Sequence, residues 1–242
     1  MSHLDPLAQQ LQTIVDTINQ NFEVKNAVRD RTLNRSRELI RSCANSIRAT
    51  QRGDDTEARR LLDIARQTAV AMQAEARLYP DVYFAGYTQD ALKEMAEAYL
   101  TRSIILEETI PTPEELDVDY PAYLNGLAEA AGELRRFALD ALRRGHVAQS
   151  DRILGHMDDI YSLLVTVDFS SAITGGLRRN TDMVRGVLER TRGDVTTAMR
   201  QETMKAALTE FEQRMGIASQ VEYPAWQEDN DDGDEQPARA EQ

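Results

Sequence analysis

The sequence predicts an all-α bundle of six or seven helices, and three observations carry that prediction. Apolar residues recur at three- and four-residue steps along most of the chain. Gly and Pro are sparse and grouped. No segment sustains the apolar/polar alternation, bounded by hairpin turns, that a strand requires.

The first helix is expected over about residues 4 to 50. It carries Leu4, Leu7, Leu11, Ile14, Val15, Ile18 and Phe22, then Val28, Leu39, Ile40, Cys43 and Ile47, and Arg52-Gly53 ends it. Asp54, an N-cap with Glu57 as its capping-box partner, opens a second helix that runs through Leu61, Leu62, Ala65, Met72 and Ala76 to Tyr79, where Pro80 stops it. A third covers about 83 to 108, and IPTPEELDVDYP is a connection with at most one helical turn. The fourth, about 120 to 144, ends in RRGH, with Gly145 as its C-terminal cap. A fifth spans about 147 to 166, and after VDFSSAIT a sixth spans about 171 to 191. TRGD is expected to separate the sixth from a seventh at about 194 to 215. Short links and the lack of an internal repeat make this one domain over residues 1–222.

Residues 223–242 read as an acidic, disordered tail. The stretch QEDNDDGDEQPARAEQ holds seven acids against one Arg, close to half of the formal net charge of -13. The remainder is only mildly acidic, so a nucleic-acid partner is not excluded by net charge. Its basic residues are almost all Arg and fall in pairs, Arg135-Arg136, Arg143-Arg144 and Arg178-Arg179. Arg forks onto phosphate, although each pair is equally served by a solvated helix face. A single cysteine, Cys43, excludes an internal disulfide framework and fits a reducing compartment. The start MSHLDPLAQQLQ lacks a basic segment and an apolar core, and no run approaches the ~18 apolar residues of a membrane span. The protein is therefore expected in the cytoplasm.

Two helices carry paired carboxylates. In LAEAAGELRRF, Glu129 and Glu133 sit four apart on the fourth helix, opposite a core stripe of Tyr120, Leu124, Leu127, Ala131, Leu134 and Ala138. Their neighbours on the far face are Ala122, Gly126, Ala130 and Phe137, small enough for another helix or a ligand to come close. In LKEMAEAYL, Glu94 and Glu97 sit three apart, away from a core stripe of Leu92, Met95, Tyr99 and Leu106. On spacing alone both pairs read as surface charge. Brought together, four carboxylates would need a hard cation, and Mg²⁺ or Mn²⁺ suits all-oxygen ligands. Other chemistries are poorly served: no Glu-x-x-His pair, no Gly-rich phosphate loop, and a Cys43 with no His nearby.

The segments AYLNGLAEAAGELRRFALDALRRG, LNRSRELIRS, LKEMAEA and MDDIYSLLVTVDFSSAITGGLRRNTDMVRGVLERTRGDVT resemble the translin family and lie in its order along the chain, over about residues 20 to 205. That resemblance implies a seven-helix bundle assembled into a hollow homo-oligomer of roughly eight subunits around nucleic acid. The family's ribonuclease branch, translin-associated factor X, carries Glu-x-x-Glu on one helix and Asp-x-x-x-Glu ending in Gly-Glu-Leu on another. Glu94 and Glu97 match the first pair, Glu133 matches the second glutamate, and Glu129 stands where the family has aspartate, one methylene further out. The chain is thus similar to the nuclease branch, in a prokaryotic-type, homomeric form.

The resemblance implies Mg²⁺- or Mn²⁺-dependent cleavage of single-stranded RNA, leaving 5′-phosphate and 3′-hydroxyl ends. Glu94, Glu97, Glu129 and Glu133 would be both metal ligands and catalytic groups. In YFAGYTQDALKE the chain departs from the basic, His-rich stretch of translin proper, so Arg135, Arg136, Tyr83 and Tyr87 would carry more of the RNA contact. The alternatives are a nonenzymatic binder of single-stranded RNA or DNA with the same shape, and an assembly scaffold.

Overall fold

The computed structural model describes residues 6–216, so the expected tail over 223–242 and Leu4 lie outside the described residues. Among the described residues nine helices follow one another: α1 (Pro6–Arg52), α2 (Asp55–Ala76), α3 (Pro80–Tyr83), α4 (Gly86–Ile105), α5 (Pro113–Leu116), α6 (Tyr120–Arg143), α7 (Val147–Leu164), α8 (Ser171–Thr174) and α9 (Leu177–Met215). The same residues contain no strand, and none of these helices is long and apolar enough to cross a membrane. By internal contacts the chain divides into Met1–Thr197 and Ala198–Gln242. The first unit holds the core. The second exposes Met204, Leu208 and Phe211 on its helical stretch.

Local chemistry sets most boundaries. Asp54 accepts a hydrogen bond from the Glu57 backbone N–H at 3.1 Å, capping α2 as its sequence implies. Thr112 and Glu115 form a reciprocal capping box around the single turn α5, inside the segment expected to be a connection. Gly145, at φ 81°, closes α6 in the left-handed region.

Two expectations are corrected. TRGD does not interrupt a helix: α9 runs straight through Gly193, because Val195 is buried and Arg135 pairs with Asp194 at 2.9 Å. Tertiary anchoring outweighs the ~1 kcal/mol helix penalty of one Gly. The break falls earlier, at Gly175-Gly176, whose φ values of 61° and 86° end α8. Bundle periodicity also misassigns some ends of stripes. Leu7, Leu11, Ile14 and Phe22 on the first half of α1, Tyr120 on α6 and Leu106 after α4 are all exposed.

Two apolar clusters meet at α6. One gathers Leu39, Cys43, Leu62, Met72, Leu92 and Met95 from α1, α2 and α4, and the other gathers Leu134, Ile153, Met157, Leu164, Leu177 and Val184 from α6, α7 and α9. Ala122 and Ala130 of α6 belong to the first cluster, Ala128 and Ala131 to the second. Helix α6 is therefore buried on two faces, and its small-residue face is a seam against α4.

Candidate functional site

That seam is set by one glycine. A Cβ on Gly126 would lie 2.7 Å from the Lys93 carbonyl oxygen, closer than side-chain carbons come to backbone, and 3.0 Å from the Glu97 backbone nitrogen, tighter than most such contacts. Only a residue without Cβ lets α6 approach α4 this closely. Ala122 and Ala130, one turn before and after, continue the contact, and both are buried.

The close approach brings Glu94, Glu97 and Glu129 together, one carboxylate oxygen from each lying within 4.8 Å of the others. Glu97 is 8% exposed, whereas Glu94 and Glu129 are half-buried. Glu133 stands outside that trio. It accepts a hydrogen bond from Gln51 Nε2 at the end of α1, while its charge still acts on Glu94 and Glu97.

Burial, and after it the charges of Glu94, Glu129 and Glu133, push the Glu97 carboxyl up to about 8. Burial also raises Glu94, with Lys93 pulling the other way. Lys93 answers the cluster: its Nζ sits 2.8 Å from each oxygen of Glu129 and 3.8 Å from Glu94. Burial disfavours the Lys93 charge, but the hydrogen bond to Glu129 and the surrounding carboxylates outweigh it and hold the ammonium above its ordinary value. Cys43, fully buried, has its thiol pushed up by burial and then by Glu94 and Glu97, so it stays a neutral thiol.

The other expected contact residues are dispersed. Arg135 bonds Thr191 Oγ1 at 3.0 Å and Asp194 at 2.9 Å, tying α6 to α9. Arg136 is exposed beside Gly132 and Leu139 in a shallow hollow of about 410 Å³, on the turn of α6 that follows Glu133. Tyr83 is 6% exposed with the Arg77 guanidinium 5.3 Å above its ring, so it has no free face for a base. Tyr87 is half-buried. Phe84, edge-on to Tyr83, is 65% exposed. It borders a cleft of about 640 Å³ that shares Lys93 and Glu129 with the acidic cluster and has Arg179 and Asn180 on its wall.

Sequence reasoning misses Lys93 and Gln51. Lys93 is within its reach, since it directly precedes Glu94 in LKEMAEA. Gln51 leaves no signal, being one polar residue before a helix end.

No protein-family model matches the chain. The uncharacterised protein MJ0175 of Methanocaldococcus jannaschii is 33% identical over 174 residues, covering 72% of this chain and 77% of that one. AfC3PO, a translin-type protein solved alone and in complex with duplex RNA, is 33% identical with a TM-score of 0.72, over 77% of this chain and 97% of its own. The chain belongs to the translin family. NeC3PO, at 22% identity and a TM-score of 0.70 over 82% of this chain and all of its own, shares the translin fold.

Proposed function

We propose that this translin-family protein is a metal-dependent endoribonuclease for single-stranded RNA, working as a homo-oligomer of roughly eight subunits. The observation that carries the reading is the meeting of Glu94, Glu97 and Glu129 across the Gly126 seam. Glu133 completes the set from one turn beyond Glu129.

The donor set suits a hard cation, Mg²⁺ or Mn²⁺. Oxygens on one Mg²⁺ lie at most about 4.2 Å apart, so carboxylates within 4.8 Å of one another need only small side-chain adjustment. When bound, the cation would supply Lewis acidity and an activated water for in-line hydrolysis of a phosphodiester, leaving 5′-phosphate and 3′-hydroxyl ends.

The chain's own residues then have distinct tasks. Glu97 would have to give up its proton to serve as a ligand. Glu129 would be a second ligand, and Lys93 beside it, at the edge of the 640 Å³ cleft, is placed to neutralise a phosphate oxygen. Glu133, held by Gln51, orients water or accepts its proton. Arg136 and the exposed Phe84 are the side chains offered to backbone and bases. The duplex RNA bound by AfC3PO supports RNA as the ligand class and makes a duplex the natural comparison substrate.

A second reading, a nonenzymatic RNA binder, draws support from the Lys93–Glu129 pair, which partly neutralises the cluster without metal. Labelled single-stranded and duplex RNA incubated with Mg²⁺ and wild-type protein, Glu129→Ala or Glu133→Ala separate the two. The nuclease reading expects Mg²⁺-dependent cuts by wild type only. RNA retained but uncut with every divalent ion would leave the binder.

A further inference from the structure

Gln51 is the penultimate residue of α1 and is 6% exposed. A carboxylate only accepts hydrogen bonds, so the Gln51 amide must turn its NH₂ toward Glu133 and its carbonyl the other way. That carbonyl oxygen is shielded from solvent and has no hydrogen-bond partner in the protein. Buried acceptors are nearly always paired, because leaving one unpaired forfeits its hydration with no return. A side chain kept for packing alone would lose nothing as Leu or Met of similar volume.

The orphaned oxygen is not isolated in kind. Among the described residues three buried side-chain oxygens lack a partner, and a second of them is Thr101 Oγ1, on a residue with no exposure. Thr101 lies one helical turn beyond Glu97, on the same face of α4. Two of the three unpaired oxygens thus belong to a residue bonded to Glu133 and to a residue one turn from Glu97, on helices that share one apolar cluster with α6; the third is Asp119 Oδ2, just before α6.

We propose that Gln51 is a positioning residue of the carboxylate centre, its amide N–H fixing Glu133 while its carbonyl, turned the other way, is held in place by an ordered water. A buried acceptor with no donor in the protein is the kind of group an internal water satisfies. The glutamine trades stability for position: its cost falls on the metal-free fold and its benefit on the loaded centre. This role rests on the reading of the carboxylates as a cation site.

The test compares wild type with Gln51→Leu, and with Gln51→Met should the first substitution disturb the packing. In EDTA, removal of the unpaired buried carbonyl offsets the lost hydrogen bond to the half-buried Glu133, so the Gln51→Leu protein is expected to melt close to wild type. Its Mn²⁺ dissociation constant, read by electron paramagnetic resonance, is expected to rise at least fivefold. Its kcat on RNA is expected to fall at least tenfold with KM unchanged, and a crystal structure of metal-free wild type is expected to show a water on Gln51 Oε1. A purely structural role predicts the reverse: a lower melting temperature, with Mn²⁺ binding and kcat within twofold of wild type. That result overturns the assignment while the cation reading stands. Failure of wild type to bind Mn²⁺ at all would remove the cation reading, and the Gln51 role with it.

Discussion

Lys93 Nζ lies 2.8 Å from both carboxylate oxygens of Glu129, so the acidic cluster already holds a cation supplied by the chain. The ammonium side chain is 19% exposed and the carboxylate 26%, which places the pair between a screened surface bridge and a buried one. Substituting Lys93 by Met leaves three converging carboxylates without their counter-charge. The metal-free Lys93→Met protein is expected to lose about 1–3 kcal/mol of stability, less than for a fully buried pair. Mg²⁺ should recover that loss, because a ligand bound only by the folded state stabilises it. Melting curves in EDTA and in Mg²⁺ check this; equal losses in both would count against a cation at the trio.

The Glu97 carboxyl, lifted from 4.5 to about 8 by burial and then by its acidic neighbours, gives stability a pH dependence of definite sign. The folded protein holds this proton more tightly than the unfolded chain does. The contribution is therefore complete below 4.5, declines as pH rises through the interval, and is gone above about 8. Urea midpoints of metal-free protein should fall between about pH 5 and pH 9, and Glu97→Gln should flatten that fall. Metal binding must expel the same proton, so Mn²⁺ affinity should climb with pH up to about 8. A wild-type midpoint independent of pH over this range would contradict the account.

Gly126→Ala tests the seam. Alanine is the better helix former by about 1 kcal/mol. Here its methyl would meet backbone atoms at 2.7 and 3.0 Å, and backbone cannot swing aside as a side chain can. Overpacking should win, with a net loss of about 1–3 kcal/mol in chemical denaturation. Mn²⁺ binding should weaken as well, since α6 carries Glu129 away from α4. A variant as stable as wild type would show that the helices are not locked at this distance.

Gly193→Ala should do the opposite. The added Cβ meets nothing within 4 Å, and the residue lies within α9. Removing the unfolded-state freedom of glycine should stabilise the protein by about 0.5–1 kcal/mol. A loss of stability would mean that TRGD is a helix break after all.

Local rules make much of the fold legible. Asp54 with Glu57, Pro80 and Gly145 mark their boundaries by chemistry that acts within one turn, and such signals survive in isolation from the rest of the chain. Gly193 and Gly175-Gly176 are harder, because a glycine's backbone freedom is a capacity, and tertiary contacts such as Arg135 with Asp194 decide whether it is used. The carboxylates Glu94, Glu97, Glu129 and Glu133 are visible as spaced pairs beside small residues. The convergence of three of them depends on how closely two helices pack, which Gly126 sets and a single helix cannot report. Tyr83 is a stacking candidate only while exposure is unknown, and the fold places Phe84 at the surface in its stead. Lys93 and Gln51 act through partners on other helices, so their parts emerge only once the helices are assembled.

The most direct test of the account is Mg²⁺-dependent cleavage of a defined single-stranded RNA by wild type and by Glu97→Gln. That substitution keeps the buried shape while removing a carboxylate from the trio. Wild type is expected to give discrete products with 5′-phosphate ends, abolished by EDTA, and Glu97→Gln to lose at least a hundredfold in kcat with RNA binding retained (a loss of roughly 2.7 kcal/mol of transition-state stabilisation). Equal cleavage by the two proteins, or no cleavage by wild type with Mg²⁺ or Mn²⁺, would contradict the account.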